Sequence, residues 1–196
     1  MPVEKETIRT FVCIEIPQSI LSRIGELQSH LRTTQARVSW VNPSNIHLTI
    51  KFLGSVPAMK IPAVVDAVAK AAHGVSEFEL RVEGTGCFPS PKRPRVLWVG
   101  IAGLPEPLKQ LHQNIDSRLS RIGFPRETRP FSPHLTIGRL RAPDAGAQLA
   151  EQMMSLGFAG ASVTVKEVIT MKSDLKPTGS IYTPLGRARL VAISES

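Results

Sequence analysis

The sequence is poor in sulfur and in rings, with two cysteines, one tyrosine and two tryptophans among 196 residues. Two cysteines are too few for a disulfide framework or a thiolate metal cluster. Cys13 and Cys87 both sit in apolar surroundings, so buried free thiols are expected, and a cytosolic location follows by default. No apolar run approaches the ~18 residues that a membrane helix requires. Residues 1–6 carry two acids and no apolar stretch, which excludes a secretory leader there. Acid is also scarce. Sixteen Asp and Glu face 24 Lys and Arg, for a net charge of +8 and a pI near 10.0. Such an excess favours anionic partners, nucleic acid and phosphate esters among them, without choosing between them. The cations gather at Lys92-Arg93-Arg95, Arg126-Arg129, Arg139-Arg141 and Arg187-Arg189. Apolar content of 42% is ordinary for a globular chain and argues against long disorder.

Hydrophobic periodicity gives the organisation. Residues 8–16 are β-branched and apolar and end at Pro17, as a buried strand does. Ile20, Ile24, Leu27 and Leu31 follow at helical spacing, predicting a helix over about 19–32. A strand over 46–53, closed by Gly54, a helix over 60–73 and an alternating strand over 77–83 complete a unit. The same order restarts at Arg95, with a strand at 96–101, a helix over 108–122, a strand at 134–140, a helix about 149–156 and a strand at 162–169. The repeats span about 8–85 and 95–170. A stiff junction at 87–94, with three prolines, joins them. A short strand near Ile181-Tyr182 and a last one over 188–193 form the tail. The predicted class is α+β: one bilobal domain over 1–196, built from a duplicated unit.

The duplication matters for what it carries twice. His47-Leu48-Thr49-Ile50 and His134-Leu135-Thr136-Ile137 fall at equivalent places, 87 residues apart. In a strand, residues i and i+2 share a face, so each His points with its Thr while Leu and Ile face the other way. A single such strand is most simply a packed histidine. Packing gives no reason to place His and Thr together twice. Two imidazoles aimed into one cleft suit phosphoester cleavage, in which one group takes a proton and the other gives one. The hydroxyls of Thr49 and Thr136 suit the non-bridging oxygens, where negative charge collects. His30, His73 and His112 fall in or at the ends of helices without such partners and are read as structural.

No carboxylate lies within either motif strand, which makes a poor set for zinc or magnesium, so neither a metal nor another cofactor is expected. Aligning the motifs sets Arg139 against Phe52. Arg139 is five residues past His134, so an ideal strand would turn it away, and a bulge or the strand end near Gly138 would turn it back to clamp phosphate. Phe11, Phe52, Phe88 and Trp98 are candidates for stacking on a base, although core packing competes for most of them.

Together these residues resemble the RNA 2′,3′-cyclic phosphodiesterases, long called 2′-5′ RNA ligases, within the 2H phosphoesterases. The likeness runs through Arg9-Thr10-Phe11-Val12-Cys13-Ile14-Glu15-Ile16-Pro17, Trp40-Val41 and the segment from Asn45 to Gly54. It continues through Phe88-Pro89-Ser90-Pro91, the segment from Arg95 to Gly100, and the segment from Phe131 to Leu140. The resemblance implies two antiparallel sheets enclosing a central cleft, with helices outside. It also implies hydrolysis of RNA 2′,3′-cyclic phosphate ends to 2′-phosphates, with 2′-5′ joining as a reverse reaction. By position, His47 would be the proton donor to the 3′-oxygen and His134 the acceptor that activates water. Thr49, Thr136 and Arg139 would hold the phosphate. The partners implied are RNA ends or small oligonucleotides, with no membrane, and the chain is read as a monomer.

The motif does not separate this activity from 2′-5′ oligoadenylate cleavage or from hydrolysis of a cyclic sugar phosphate, because pocket walls set specificity. A non-catalytic module that binds RNA ends would keep the charge and the aromatics, yet would not need two His-Thr pairs.

Overall fold

The computed structural model describes residues 6–34, 36–141, 146–177 and 179–191. The first five residues and the end of the predicted last strand lie outside them. Nine strands form one curled sheet in the order β7-β4-β5-β6-β3-β1-β8-β9, and β2 pairs β6. The strands are β1 (Thr7–Glu15), β2 (Val38–Trp40), β3 (His47–Pro57), β4 (Phe78–Phe88), β5 (Val96–Ile101), β6 (His134–Leu140), β7 (Ala161–Val165), β8 (Glu167–Lys176) and β9 (Gly179–Arg189). The helices are α1 (Gln18–Leu31), α2 (Ile61–Ala72), α3 (Glu106–Arg121) and α4 (Ala147–Leu156). None of the described helices is long and apolar enough to cross a membrane.

All strand pairings between the named strands are antiparallel. The two expected sheets are the two wings of this single sheet, β7-β4-β5-β6 and β3-β1-β8-β9, and they meet at one residue pair, Leu48 with Leu135. The duplication is also crossed over. Strand β4 ends the first repeat in sequence, yet pairs β5 and β7 in the second wing. Strand β8 returns the exchange by pairing β1. One apolar core lies beneath both wings, with Ile24 and Leu31 of α1, Leu111 and Ile115 of α3, and Leu48 and Leu135 of the motif strands. On the other face a small cluster of Phe11, Cys13, Ile169 and Met171, with Tyr182 against it, lines the first wing. That second covering explains why residues 10–14 are buried without alternation. Both cysteines are free and buried, and burial, with Glu15 nearby, pushes the Cys13 thiol up to about 12.

Several boundaries differ from the sequence expectation. Gly54 does not end β3. It takes a φ of 70°, at a register shift opposite Thr10 and Phe11, and the strand continues to Pro57. The strand expected over 77–83 runs on to Phe88, so the stiff junction begins later than 87. The strand expected over 162–169 is two strands that part at Lys166. The short tail strand expected near Ile181-Tyr182 is the long strand β9, which takes in only the first two residues of the last expected strand and absorbs Pro184 at a bulge against Thr170 and Met171. Proline lacks an amide proton, and an edge strand tolerates it there.

Candidate active site

The pairing of Leu48 with Leu135 fixes the centre of the cleft. Antiparallel pairing at this point sets His47 across from Thr136 and Thr49 across from His134. Both leucines are fully buried toward the core, so the His and Thr side chains stand on the opposite face. The histidines occupy one diagonal of this rectangle and the threonines the other. Diagonal neighbours on one face lie ~7–8 Å apart, somewhat less at Cβ, which leaves room for a tetrahedral group between the tips of their side chains.

Each imidazole is held in the same way. His47 Nδ1 lies 2.8 Å from the Asn45 carbonyl oxygen, and His134 Nδ1 lies 2.7 Å from that of Ser132. A carbonyl only accepts, so Nδ1 carries the proton in both rings and Nε2 is left as the working nitrogen. Neutral, Nε2 accepts a proton. Charged, it donates one. An aromatic from the neighbouring strand backs each ring. Phe11 stacks on His47 at 4.6 Å and 23°, and Trp98 lies tilted 6.4 Å from His134. A second ring meets each histidine edge-on, Tyr182 on His47 at 5.3 Å and Phe88 on His134 at 5.0 Å. This packing desolvates His47 and lowers its pKa below the ordinary imidazole value, against smaller upward pulls from the Asn45 carbonyl and the Glu15 charge.

The rings expected to stack on a base divide into four cases. Phe11 is 3% exposed, with its face on His47 and Tyr182 at its edge, so it backs the imidazole from the wall of the cleft. Trp98 lies across Gly86, where an added Cβ would meet the indole at 2.2 Å. Its Nε1 is buried and has no hydrogen-bond partner. Phe88 packs on Trp98 and His134. Phe52 alone stands open, 52% exposed, with the Arg9 guanidinium 4.5 Å over its ring.

A bulge turns Arg139 into the cleft. Leu97 pairs Gly138 and Trp98 pairs Thr136, so Ile137 is the extra residue and the face alternation reverses after it. The first motif repeats this: Val12 pairs Lys51 and Cys13 pairs Thr49, leaving Ile50 extra. Phe52 and Arg139, five residues after their histidines, therefore both line the cleft. Lys51 turns the other way, to Asp116 Oδ1 at 2.5 Å and the Pro125 carbonyl at 2.8 Å.

The cleft encloses about 770 Å³, and its walls include His47, Thr49, Thr136, Arg139, Phe52 and Tyr182. His134 stands at its margin and does not line that volume. Sequence reasoning missed Tyr182 and Arg9. Tyr182 lies beyond the repeat, and its signal was that it is the sole tyrosine. A second depression, about 640 Å³ and lined by Pro17, Glu77, Lys166 and Arg189 among others, contains none of the candidate residues. Among the described residues, no three His, Cys, Asp or Glu side chains converge as a metal site requires.

Comparison with known proteins shows the same duplication. A family model described as LigT like Phosphoesterase matches residues 14–98 and again 99–182. This chain belongs to the LigT-like phosphoesterase family. Its relatives include the RNA 2′,3′-cyclic phosphodiesterase of Methanothermobacter thermautotrophicus, 33% identical over 93% of this chain and 99% of that protein. That of Thermotoga maritima is 32% identical over 91% and 93%. Among solved structures, a Thermus thermophilus protein superposes with a TM-score of 0.78 at 25% identity, over 93% of this chain and 98% of that one. Escherichia coli LigT, in a complex with 3′-AMP, gives 0.75 at 27% identity, over 95% and 99%. The family's repeat boundaries, 14–98 and 99–182, lie later than those read from periodicity. The duplicated H-x-T segments fall one in each matched unit.

Proposed function

We propose that this protein hydrolyses RNA 2′,3′-cyclic phosphate ends to 2′-phosphates, with His47 and His134 as acid and base. One observation carries the reading: the diagonal of two imidazoles, each with Nδ1 committed to a carbonyl and Nε2 free, crossed by two threonine hydroxyls. The names of the relatives supply the substrate class. In the proposed step, His134 Nε2 takes a proton from water as its oxygen bonds to phosphorus. The phosphorus–O3′ bond breaks, and His47 Nε2–H protonates the departing oxygen. Thr49, Thr136 and Arg139 hold the charge that grows on the non-bridging oxygens. With the 5′-hydroxyl of a second strand in place of water, the same groups would break the phosphorus–O3′ bond and leave a 2′-5′ linkage, whose cleavage is the reverse of this joining, beside a free 3′-hydroxyl. Proton transfer within the side chains calls for no metal-bound hydroxide.

The lowered pKa of His47 favours a second reading with the roles exchanged, because burial keeps its ring neutral in the free protein. A bound phosphate anion beside the ring works in the opposite direction and restores the donor form. The test is turnover of a dinucleotide ending in a 2′,3′-cyclic phosphate, in excess EDTA, followed by product analysis. The expected product is the 2′-phosphate, with kcat/KM bell-shaped in pH. The limbs belong to the coupled pair. A 3′-bridging sulfur, which leaves without protonation, should rescue His47→Ala and not His134→Ala. Rescue of His134→Ala instead would exchange the roles. Absence of turnover, or activity that returns only with a divalent ion, would overturn the mechanism.

A further inference from the structure

Beyond Arg139, the ladder between β2 and β6 carries cations that the proposed hydrolysis does not use. Ser39 pairs Arg139, and both line the cleft. The ladder continues one step, where the Arg141 amide donates to the Arg37 carbonyl at 3.2 Å. Arg141 lies two residues past Arg139, on the same face, and its Nε donates to Ser39 Oγ at 2.9 Å. Arg37 stands opposite Arg141, two residues before Ser39, and shares that face by alternation. From Arg139, which lines the cleft, this face runs one step outward to Arg37 and Arg141, side by side just beyond the lining residues. All three are exposed, and none of the ion pairs among the described residues engages them. Two residues of strand advance ~7 Å, a step comparable to that between successive phosphates of an extended strand. Guanidinium forks match phosphate oxygens in charge and geometry.

We propose that Arg37 and Arg141 form a second phosphate subsite, which takes the 5′-phosphate of the terminal nucleotide while Arg139 holds the cyclic phosphate. The inference rests on the hydrolysis proposed above and narrows its substrate: the site is built for the end of a strand and not for a lone cyclic mononucleotide. Binding follows from the first phosphodiester upstream of the reacting one, whatever base it carries.

The test compares four substrates: a nucleoside 2′,3′-cyclic phosphate, the same molecule with a 5′-phosphate, a dinucleotide with the same cyclic end, and that dinucleotide with a neutral methylphosphonate linkage. We expect kcat/KM at least tenfold higher for the two substrates with a charged 5′-phosphate, carried mainly in KM. The neutral linkage should fall to the level of the bare nucleoside. Arg37→Gln with Arg141→Gln should abolish the advantage while leaving kcat on the bare nucleoside cyclic phosphate unchanged. The salt dependence of log kcat/KM should be steeper for the charged dinucleotide by up to ~0.7 per decade of salt, one single-strand phosphate's worth. Equal kcat/KM for charged and neutral linkages, or a double variant impaired equally on all four, would overturn the subsite and leave the hydrolysis standing. Turnover of none of the four would overturn the hydrolysis itself.

Discussion

Asp116→Asn should be among the most damaging conservative substitutions in this protein. Lys51 lies beneath the first motif strand with its side chain 6% exposed, and its ammonium has two oxygen acceptors, Asp116 Oδ1 and the Pro125 carbonyl. Asparagine keeps the shape and removes the charge, which leaves a buried cation against neutral dipoles. Breaking one side of a buried pair costs ~3–5 kcal/mol. Asp116 keeps 15% exposure, so the lower end, about 3 kcal/mol, applies, or a melting point down by ~6–12 °C for a chain of this size. Lys51→Met should cost less, because it removes the buried charge itself and leaves a carboxylate that retains solvent and the Glu127 amide. The control is Asp66→Asn on α2, where the Lys70 pair is more than half exposed on both sides and should be worth under ~1 kcal/mol. The pH dependence has a definite sign. Burial raises the Asp116 carboxyl, but the Lys51 bond, the Glu127 amide and the Lys51 and His112 charges outweigh it and hold the pKa low. A lowered folded value stabilises fully above the unfolded pKa of ~3.9 and is lost as pH falls through the folded value. The gap between wild type and Asp116→Asn should therefore stay level from pH 7 to 5 and narrow below 4. Thermal melts by circular dichroism, run with the control, measure all of this. A loss no larger than that of Asp66→Asn, or a gap that widens in acid, would refute the reasoning.

Thr49→Val and Thr136→Val should each lower kcat by ~2–4 kcal/mol of transition-state stabilisation, with unchanged circular dichroism; unaltered rates in both would remove the hydroxyls from the mechanism. Tyr182→Ala should admit water to His47 and let its depressed pKa rise toward the ordinary value, moving one limb of the pH–rate profile upward; a profile superposable on the wild type would count against it. Gln28→Met should cost ~1–3 kcal/mol in urea unfolding, because the amide donates to the Val41 carbonyl at 2.7 Å and the Ile137 carbonyl at 2.9 Å from a buried position. It should also lower kcat/KM by loosening the turn that aims Arg139, and an effect on stability alone would separate the two roles.

The sequence made the helices and the duplication legible because both rest on apolar periodicity, which the single core uses directly. Periodicity carries no information about which wing a strand joins, so the exchange of β4 and β8 between the repeats was invisible. It is equally silent on bulges. A bulge near Gly138 is legible only as one condition for Arg139 to reach the cleft, and nothing in the sequence marks the matching bulge at Ile50, which sends Lys51 to the core and Phe52 to the cleft. The histidines and threonines were legible because they recur. Arg9 and Tyr182 do not recur at equivalent positions of the sequence, and nothing local marks them. Phe11 is open between base platform and core packing in the sequence, and its place in a buried cluster on the cleft face of the first wing shows the core side of that choice.

The two bulges and the two buried polar contacts form one arrangement. A strand that gains a residue loses ladder bonds at that point, and a buried carbonyl or ammonium left there needs a partner. At the β6 bulge, the Ile137 carbonyl receives Gln28 from α1, a helix of the first repeat. Beside the β3 bulge, Lys51 meets Asp116 from α3, a helix of the second repeat. Each half thus supplies the polar group that steadies the motif strand of the other, at nearly equivalent positions along helices offset by the repeat. The brace is chemically unequal. An amide donating to a carbonyl is neutral and insensitive to pH, whereas a lysine–aspartate pair loses its charge balance in acid. The same inequality recurs in the cleft, where Phe52 faces Arg139 across the pseudo-symmetry. Duplication supplies two histidines with the same geometry, and acid–base catalysis requires them to differ in charge. What distinguishes them is the cation at Arg139 where the first copy has Phe52, and the closer ring on His47, where Phe11 stacks at 4.6 Å while Trp98 lies tilted 6.4 Å from His134.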